Sequence, residues 1–305
     1  MLQQKPLLIC VVGPTAIGKT SLAIKLAKAF STEIISADSR QFFKEMNIGT
    51  AVPLKEELEA VPHHFIQNKS IFEDYSVGDF ERDSLALLKI LFEKNTVVVM
   101  VGGSGLYVDA VVKGLDNFPE IPSGIREQLN AELDVKGIEI LQDELKEVDP
   151  FYFEKVDIHN PHRIIRALEI YRATGKPYSS FLKKATTERD FNTLFIGLTA
   201  ARETVYNRIN LRVDKMVEEG LLDEAKLLFP HKEKNALQTV GYRELFQYFD
   251  GNLSKEEAIS EIKKNTRRFA KRQNTWFKKN EEIHWFDYQA NPPTIINFIK
   301  EKNAL

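Results

Sequence analysis

The sequence predicts an α/β fold: a parallel sheet flanked by helices, interrupted by an all-helical insertion. Three observations predict it. Short apolar runs alternate with stretches of helical periodicity through the first 114 residues. The first and third apolar runs end in glycine-containing turns. Between about residues 115 and 190 the strand signals stop, and they resume at Asn192. Strands joined through helices form parallel sheets with right-handed crossovers.

Leu7 to Val12 is an apolar run closed by Gly13, and Leu22, Ala23, Leu26, Ala27 and Phe30 then repeat at helical spacing within residues 21–30. Glu33 to Ala37 forms a second strand. Residues 79–92 read as a helix with Phe80, Leu85, Leu88 and Phe92 on one side. Val97 to Val101 is β-branched apart from Met100, the pattern of a strand buried on both faces. Gly102-Gly103 ends it, and a helix is expected from Ser104. Residues 117–124 contain two prolines and a glycine. One helical stretch over 123–147 and another over 161–174 follow, with Gly175-Lys176-Pro177 as a break. Asn192 to Thr199 returns to the sheet pattern. From Arg202 the chain reads as helical, with a last short strand at Ile283 to Phe286. The expected division is therefore a body of 1–114 and 191–305, its C-terminal part helical, and an insertion of 115–190.

The chain has 305 residues, 43% hydrophobic and 28% charged, which suits about two folded domains and excludes general disorder. No run approaches the roughly 20 apolar residues of a membrane span. A single cysteine, Cys10, excludes an internal disulfide framework and a Cys-rich zinc site. The N-terminus does not read as a cleaved signal, and a cytoplasmic monomer is the expectation.

Gly13-Pro14-Thr15-Ala16-Ile17-Gly18-Lys19-Thr20 fits the pattern G-x-x-x-x-G-K-[ST], between a strand and an amphipathic helix. Glycines let the backbone curl so that N–H groups point at an anion, and the helix start adds its positive dipole end. Lys19 would bridge phosphate oxygens, and the Thr20 hydroxyl could ligate Mg²⁺. This context makes the sheet P-loop NTPase-like. A nucleoside-triphosphatase usually also places an Asp at the end of an apolar strand to organise Mg²⁺. Here the strand at 97–101 ends in Gly102-Gly103-Ser104. The loop alone thus establishes a phosphate or diphosphate site and not ATP.

The net charge of −2 argues against a nucleic-acid binder. Its distribution argues the other way. Residues 263–279 carry eight Lys or Arg and no acid, together with Phe269, Trp276 and Phe277. A solvated helix face is the ordinary meaning of a charge run; the missing acids and the aromatics favour phosphate-backbone binding.

Further segments act together with the loop. Residues 34–44 contain Asp38-Ser39-Arg40-Gln41 and lead to Met46-Asn47-Ile48-Gly49-Thr50-Ala51; Gly102-Gly103-Ser104-Gly105-Leu106-Tyr107 follows the third strand; Val240-Gly241-Tyr242-Arg243-Glu244 and residues 266–276 lie near the C-terminus. In this order, over nearly the whole chain, they resemble the bacterial tRNA dimethylallyltransferases (tRNA isopentenyltransferases). The resemblance implies transfer of a dimethylallyl group from dimethylallyl diphosphate to N6 of the adenosine 3′ of the anticodon, in tRNAs reading codons that begin with U. It implies Mg²⁺ and no ATP, and reassigns the phosphate loop to the prenyl diphosphate. The implied catalytic group is Asp38, Thr15, Lys19, Ser104 and Arg212. Residues 13–20 with Arg208 and Arg212 would bind the diphosphate. The implied tRNA contacts are Asp38, Ser39, Arg40, Gln41, Ser104, Arg126, Arg163, Arg166, Gly241, Tyr242 and Arg243. To these the basic segment adds Arg267, Arg268, Lys271 and Arg272, as expected phosphate contacts on the anticodon stem-loop. The chain departs from the family pattern with Phe43 for a usual tyrosine, Glu45 for a common glycine, Val52 for a usual lysine and Ser104 for threonine.

Structural roles compete at several positions. Asp38 would cap a helix starting near Ser39. His159 and His162 are spaced i,i+3 but have no further ligand cluster, so a loop or RNA-facing role is expected. His63-His64 reads as structural, and Cys10 as a small core residue. A P-loop small-molecule or nucleoside kinase is the main alternative function; it leaves the basic segment and the 102–107 turn unexplained. An RNA-binding protein with a relic loop leaves Lys19, Thr20 and Asp38 unexplained.

Overall fold

The computed structural model describes residues 5–182 and 187–303. The N-terminal end and the insertion's C-terminal end therefore lie partly outside the described residues. The chain divides into two compact units, Met1–Lys113 with Glu188–Leu305, and Gly114–Thr187.

The first unit is built on strands β1 (Leu7–Val12), β2 (Ile34–Ser36), β3 (His63–His64), β4 (Val97–Val101), β5 (Asn192–Thr199) and β6 (Ile283–Asp287). They form one sheet in the order β3-β2-β4-β1-β5-β6, every pair parallel. A parallel sheet flanked by helices, with the 13–20 loop after β1, is the P-loop NTPase-like fold that the sequence predicts. β1 and β4 are buried along their whole length. Alternation sends Leu8, Cys10 and Val12 to one core and Leu7, Ile9 and Val11 to the other, so helices cover both faces. Cys10 is fully buried, and burial raises its thiol pKa well above the ordinary value, leaving it unreactive.

Helices α1 (Lys19–Ala29), α2 (Lys55–Ala60), α3 (Val77–Phe92) and α4 (Gly105–Lys113) follow the first four strands in turn. α3 begins ahead of its apolar periodicity because Ser76 and Asp79 form a reciprocal capping box. α2 and β3 were not expected. α2 has no buried side chain, and β3 is only two residues long, so neither leaves a periodic signal. The histidines are structural as expected: they are the edge strand, with His63 Nδ1 2.7 Å from the Val61 carbonyl and His64 Nε2 2.6 Å from Glu33.

The second unit contains α5 (Ile125–Lys136), α6 (Ile138–Val148), α7 (Pro150–Phe153) and α8 (Pro161–Thr174) around Leu129, Leu141, Leu145, Ile164 and Leu168. The single helical stretch expected over 123–147 is broken at Gly137, whose φ of 80° continues no helix. α8 keeps its expected bounds: the Asn160 side chain caps it, Pro161 opens it and Gly175 closes it at φ 70°. Arg172 ties α8 to Glu132 at 2.7 Å and to Glu144 at 2.9 Å.

Back in the first unit lie α9 (Arg202–Glu218), α10 (Leu221–Leu228), α11 (Tyr242–Phe249), α12 (Lys255–Phe277) and α13 (Pro292–Asn303). Among the described residues no helix is long and apolar enough to cross a membrane.

Candidate active site

Because β1, β4 and β2 are neighbours in the sheet, their carboxyl ends place the 13–20 loop, the Gly102-Gly103-Ser104 turn and Asp38 side by side. This is where open α/β sheets bind ligands. The close fit depends on glycine. A Cβ at Gly102 would lie 2.2 Å from the Ala37 carbonyl oxygen.

The loop curls through Gly13, Pro14 and Thr15 to Ala16, held at a left-handed φ of 63°, and on through Ile17 to Gly18 at φ 108°. Gly18 starts α1 without a side-chain cap, which leaves the first-turn N–H groups for an anion. Lys19 Nζ donates to the Pro14 carbonyl at 2.8 Å. Burial lowers its pKa to about 8, Asp38 works in the opposite direction, and Arg212 adds to the lowering. Arg208, expected on the diphosphate, donates from Nε to the Ala16 carbonyl at 2.7 Å. It braces the strained residue of the loop. Arg212 reaches Thr15, with Nη1 3.4 Å from Oγ1.

No helix begins at Ser39, so Asp38 caps none. Its Oδ1 accepts the Arg40 N–H at 3.2 Å in a tight turn. Burial raises the Asp38 pKa above the ordinary carboxylate value, against the opposing pull of the Arg40 N–H, Lys19, Arg40 and Arg212. Ser104 Oγ accepts the Ser39 N–H at 3.1 Å and lies 3.2 Å from Ser39 Oγ.

Thr15, Asp38 and Arg212 stand between two cavities and line both. One, of about 630 Å³, runs over the phosphate loop with Lys19 and Thr20 in its wall. The other, of about 480 Å³, is walled by Ser104, Tyr107, Met216, Phe269 and Trp276. Carboxylate, anion seat and an aromatic-walled hollow therefore meet at one place. Among the described residues no group of three or more His, Cys, Asp or Glu could hold a metal by itself.

α12 contributes a residue that the sequence reading left unassigned. Gln273 is buried; its Oε1 accepts the Thr15 N–H at 2.8 Å and its Nε2 donates to the Gly103 carbonyl at 3.0 Å. The signal was available, since Gln273 is a polar residue in the stripe of Ile262, Ala270 and Phe277. The basic segment needs one correction. Lys263 is paired with Asp214 at 2.5 Å, and Lys264 with Glu261, so acids from outside residues 263–279 neutralise two of the eight charges. Arg267 is half-buried and donates to Asn210 at 2.7 Å. Arg268, Lys271, Arg272, Lys278 and Lys279 are exposed, with no carboxylate within ion-pair distance among the described residues.

Tyr242 is fully buried and cannot reach an RNA; its hydroxyl donates to Glu224 at 2.7 Å. Glu224 also accepts the N–H groups of Asn47, Ile48 and Gly49 at 2.8–3.0 Å. Gly241 is buried in the wall of the aromatic hollow, and Arg243 is exposed beside it. Arg40 is held on the Asn235 and Ala236 carbonyls, and Gln41 Nε2 on those of Thr50 and Ala51. In the second unit the buried Glu169 gathers Arg126, at 2.6 and 2.8 Å, and Arg166. Arg163, His159 and His162 are exposed. Of the departures from the family pattern, Phe43 is buried in the core. Glu45 accepts from Ser70 Oγ at 2.6 Å and the Ile71 N–H at 3.0 Å, and Val52 lines the cavity over the loop.

The family model described as IPP transferase matches residues 41–280. The chain belongs to the IPP transferase family. Among curated relatives, the tRNA dimethylallyltransferase of Christiangramia forsetii is 60% identical over 295 residues, covering 97% of this chain and 98% of that protein. That of Flavobacterium johnsoniae is 57% identical, covering 96% and 97%. Among solved structures, the full-length tRNA isopentenylpyrophosphate transferase of Bacillus halodurans superposes with a TM-score of 0.74 at 40% identity, covering 98% of this chain and 97% of that one. A eukaryotic dimethylallyltransferase acting on tRNA gives 0.80 at 27% identity, covering 93% and 74%. Membership of the IPP transferase family favours prenyl transfer over the kinase that the loop alone left open.

Proposed function

We propose that this IPP transferase moves a dimethylallyl group from dimethylallyl diphosphate to N6 of the adenosine 3′-adjacent to the anticodon, in tRNAs reading codons that begin with U. The observation that carries the reading is the position of Asp38, a buried carboxylate between the Lys19–Arg212 anion seat and an aromatic-walled hollow.

An exocyclic adenine amine is a weak nucleophile because its lone pair is delocalised into the ring. Asp38 accepts a hydrogen bond from N6 and takes its proton as the N6–C1 bond forms, and a raised pKa suits it to that work. The allylic C1–O bond breaks, and its electron pair leaves with the diphosphate. Lys19, the loop N–H groups, Thr15 and Arg212 stabilise that charge where it develops. Arg208 acts through Ala16 to keep the loop curled. Ser104 holds the Ser39 N–H and so fixes the turn that carries Asp38.

Mg²⁺ suits the donors present. It takes hard oxygen ligands and keeps several waters, so the Thr20 hydroxyl and substrate diphosphate oxygens suffice without a cage of carboxylates. Thr20 would hold it, and when bound it neutralises charge on the leaving diphosphate. The target base has to leave its stack to reach Asp38. Arg268, Lys271 and Arg272 are the proposed phosphate contacts, with Ser39, Arg243 and, in the second unit, Arg126, Arg163 and Arg166 as further contacts. Arg267 supports them through α9.

The test mixes purified protein with Mg²⁺, radiolabelled dimethylallyl diphosphate and unmodified tRNA carrying adenosine 3′ of the anticodon. Label incorporated at N6 is expected. Failure of a folded protein to transfer it, or phosphate transfer from ATP, would overturn the proposal.

A further inference from the structure

We infer that Gln273 is a positioning residue for the transfer reaction: a hook by which the basic helix sets the geometry of the diphosphate loop. The inference rests on the proposed reading of the site. α12 has two faces. One presents Arg268, Lys271 and Arg272 to solvent; the other buries Ala270, Gln273 and Phe277. Gln273 is the polar member of that buried face, and both ends of its amide are used. Its oxygen takes the Thr15 N–H, and its nitrogen gives to the Gly103 carbonyl. The two partners lie on different strand ends, after β1 and after β4. Thr15 also faces Arg212 across 3.4 Å. One amide therefore fixes Thr15 laterally, just where the loop bends into left-handed Ala16.

A buried amide has to satisfy both of its functions, and here its oxygen meets an N–H and its nitrogen a carbonyl. An apolar side chain would leave Thr15 N–H and Gly103 O unpaired and the loop free to relax. Misplacement of a reacting group by about 1 Å costs on the order of 100-fold in rate.

Gly103 gives a second handle. A Cβ there would lie 2.2 Å from Gln273 Nε2, the far end of a flexible side chain, so Gly103→Ala pushes the hook away without altering it. Gln273→Met keeps the volume and removes both bonds. For each variant we expect kcat to fall roughly 10- to 100-fold. Binding of inorganic diphosphate with Mg²⁺ should weaken about fivefold, the worth of an ordinary hydrogen bond. The tRNA dissociation constant and its salt slope should stay within about twofold, because the outward basic face is untouched. The double variant should be no worse than the poorer single one, since both remove the same contact.

Diphosphate binding is read without turnover. A wild type that transfers nothing would therefore sink the proposed function while leaving the hook to be judged by that binding. The hook is overturned if either folded variant keeps wild-type diphosphate affinity, or if tRNA affinity falls in step with kcat. Loss of folding in both variants would make Gln273 a structural residue and overturn it equally.

Discussion

Replacing Asp38 by Asn separates the proposed base from every structural duty the residue has. The Asn carbonyl oxygen can still accept the Arg40 N–H at the 3.2 Å position, so the turn holds. What disappears is the ability to take a proton. A positioned general base contributes about 10²- to 10⁴-fold, which is roughly 2.7–5.5 kcal/mol of barrier. Single-turnover transfer from labelled dimethylallyl diphosphate should slow by that factor, while tRNA affinity stays within about threefold, since phosphate contacts dominate it. The pH profile gives a second reading. Burial raises the Asp38 pKa, so the wild-type rate should fall with acid at a higher pH than an ordinary carboxylate would allow, and the Asn variant's residual rate should lack that limb. Stability gives a third. A native pKa above the unfolded one means that the fold binds this proton more tightly. Asp38 therefore adds stability as pH falls through its native pKa and costs stability as pH rises through it. Asp38→Asn should thus melt no lower than wild type at pH 7. Turnover within tenfold of wild type, or a variant that loses both rate and stability, would refute the base role.

Three other outcomes are expected. Replacing Arg268, Lys271 and Arg272 together by Gln should lower the salt slope of tRNA binding by about 2 to 3, at 0.7–0.9 per lost phosphate contact; an unchanged slope in a salt titration would show that this face touches no phosphate. Lys19 loses its proton near pH 8 in the free protein, so affinity for diphosphate should decline as pH rises through that value. Lys19→Arg should flatten the decline in calorimetric titrations, and equal pH profiles would remove Lys19 from the anion seat. Glu224→Gln keeps shape but turns an NH₂ toward N–H and O–H donors; urea unfolding should show a loss of about 1–3 kcal/mol, and a change below about 0.5 kcal/mol would mean that the four hydrogen bonds carry little.

Features governed by local chemistry were readable in advance. β4 is five consecutive buried residues and announces itself as an unbroken run; α8 is bounded by Asn160, Pro161 and Gly175, each with its own backbone reason. The phosphate loop, Asp38 and the glycine turn were legible because each follows a strand. Their adjacency follows from the sheet order, which sets β4 between β1 and β2. What escaped was non-local. Glu224 serves an N–H cluster about 175 residues away, and Tyr242, read as an RNA contact, is drawn inward by that same carboxylate. Arg208 lies one turn from Arg212 on α9, and spacing alone could not say that one braces the Ala16 carbonyl while the other reaches Thr15. Gln273 stood in plain view inside a basic segment, where charge drew the eye from the face it occupies.

Charge is where sequence and structure differ most usefully. A net of −2 hides a basic segment, and that segment in turn hides a division of labour. Lys263 and Lys264 belong to pairs with Asp214 and Glu261, and Arg267 leans on Asn210. Lys263 and Arg267 tie α12 to α9, and Lys264 is paired within α12 itself. Among the described residues, the cations of this segment without an ion-pair partner are Arg268, Lys271, Arg272, Lys278 and Lys279, running toward the helix end where Trp276 closes the aromatic hollow. Lys278 caps the C-terminal end of α12 and Lys279 follows it, where the helix dipole favours cations. Arg272 and Trp276 line the same hollow as Asp38. On the proposed reading, a polyanion drawn to these charges meets the hollow that holds the proposed base, so charges that bind tRNA would also aim it.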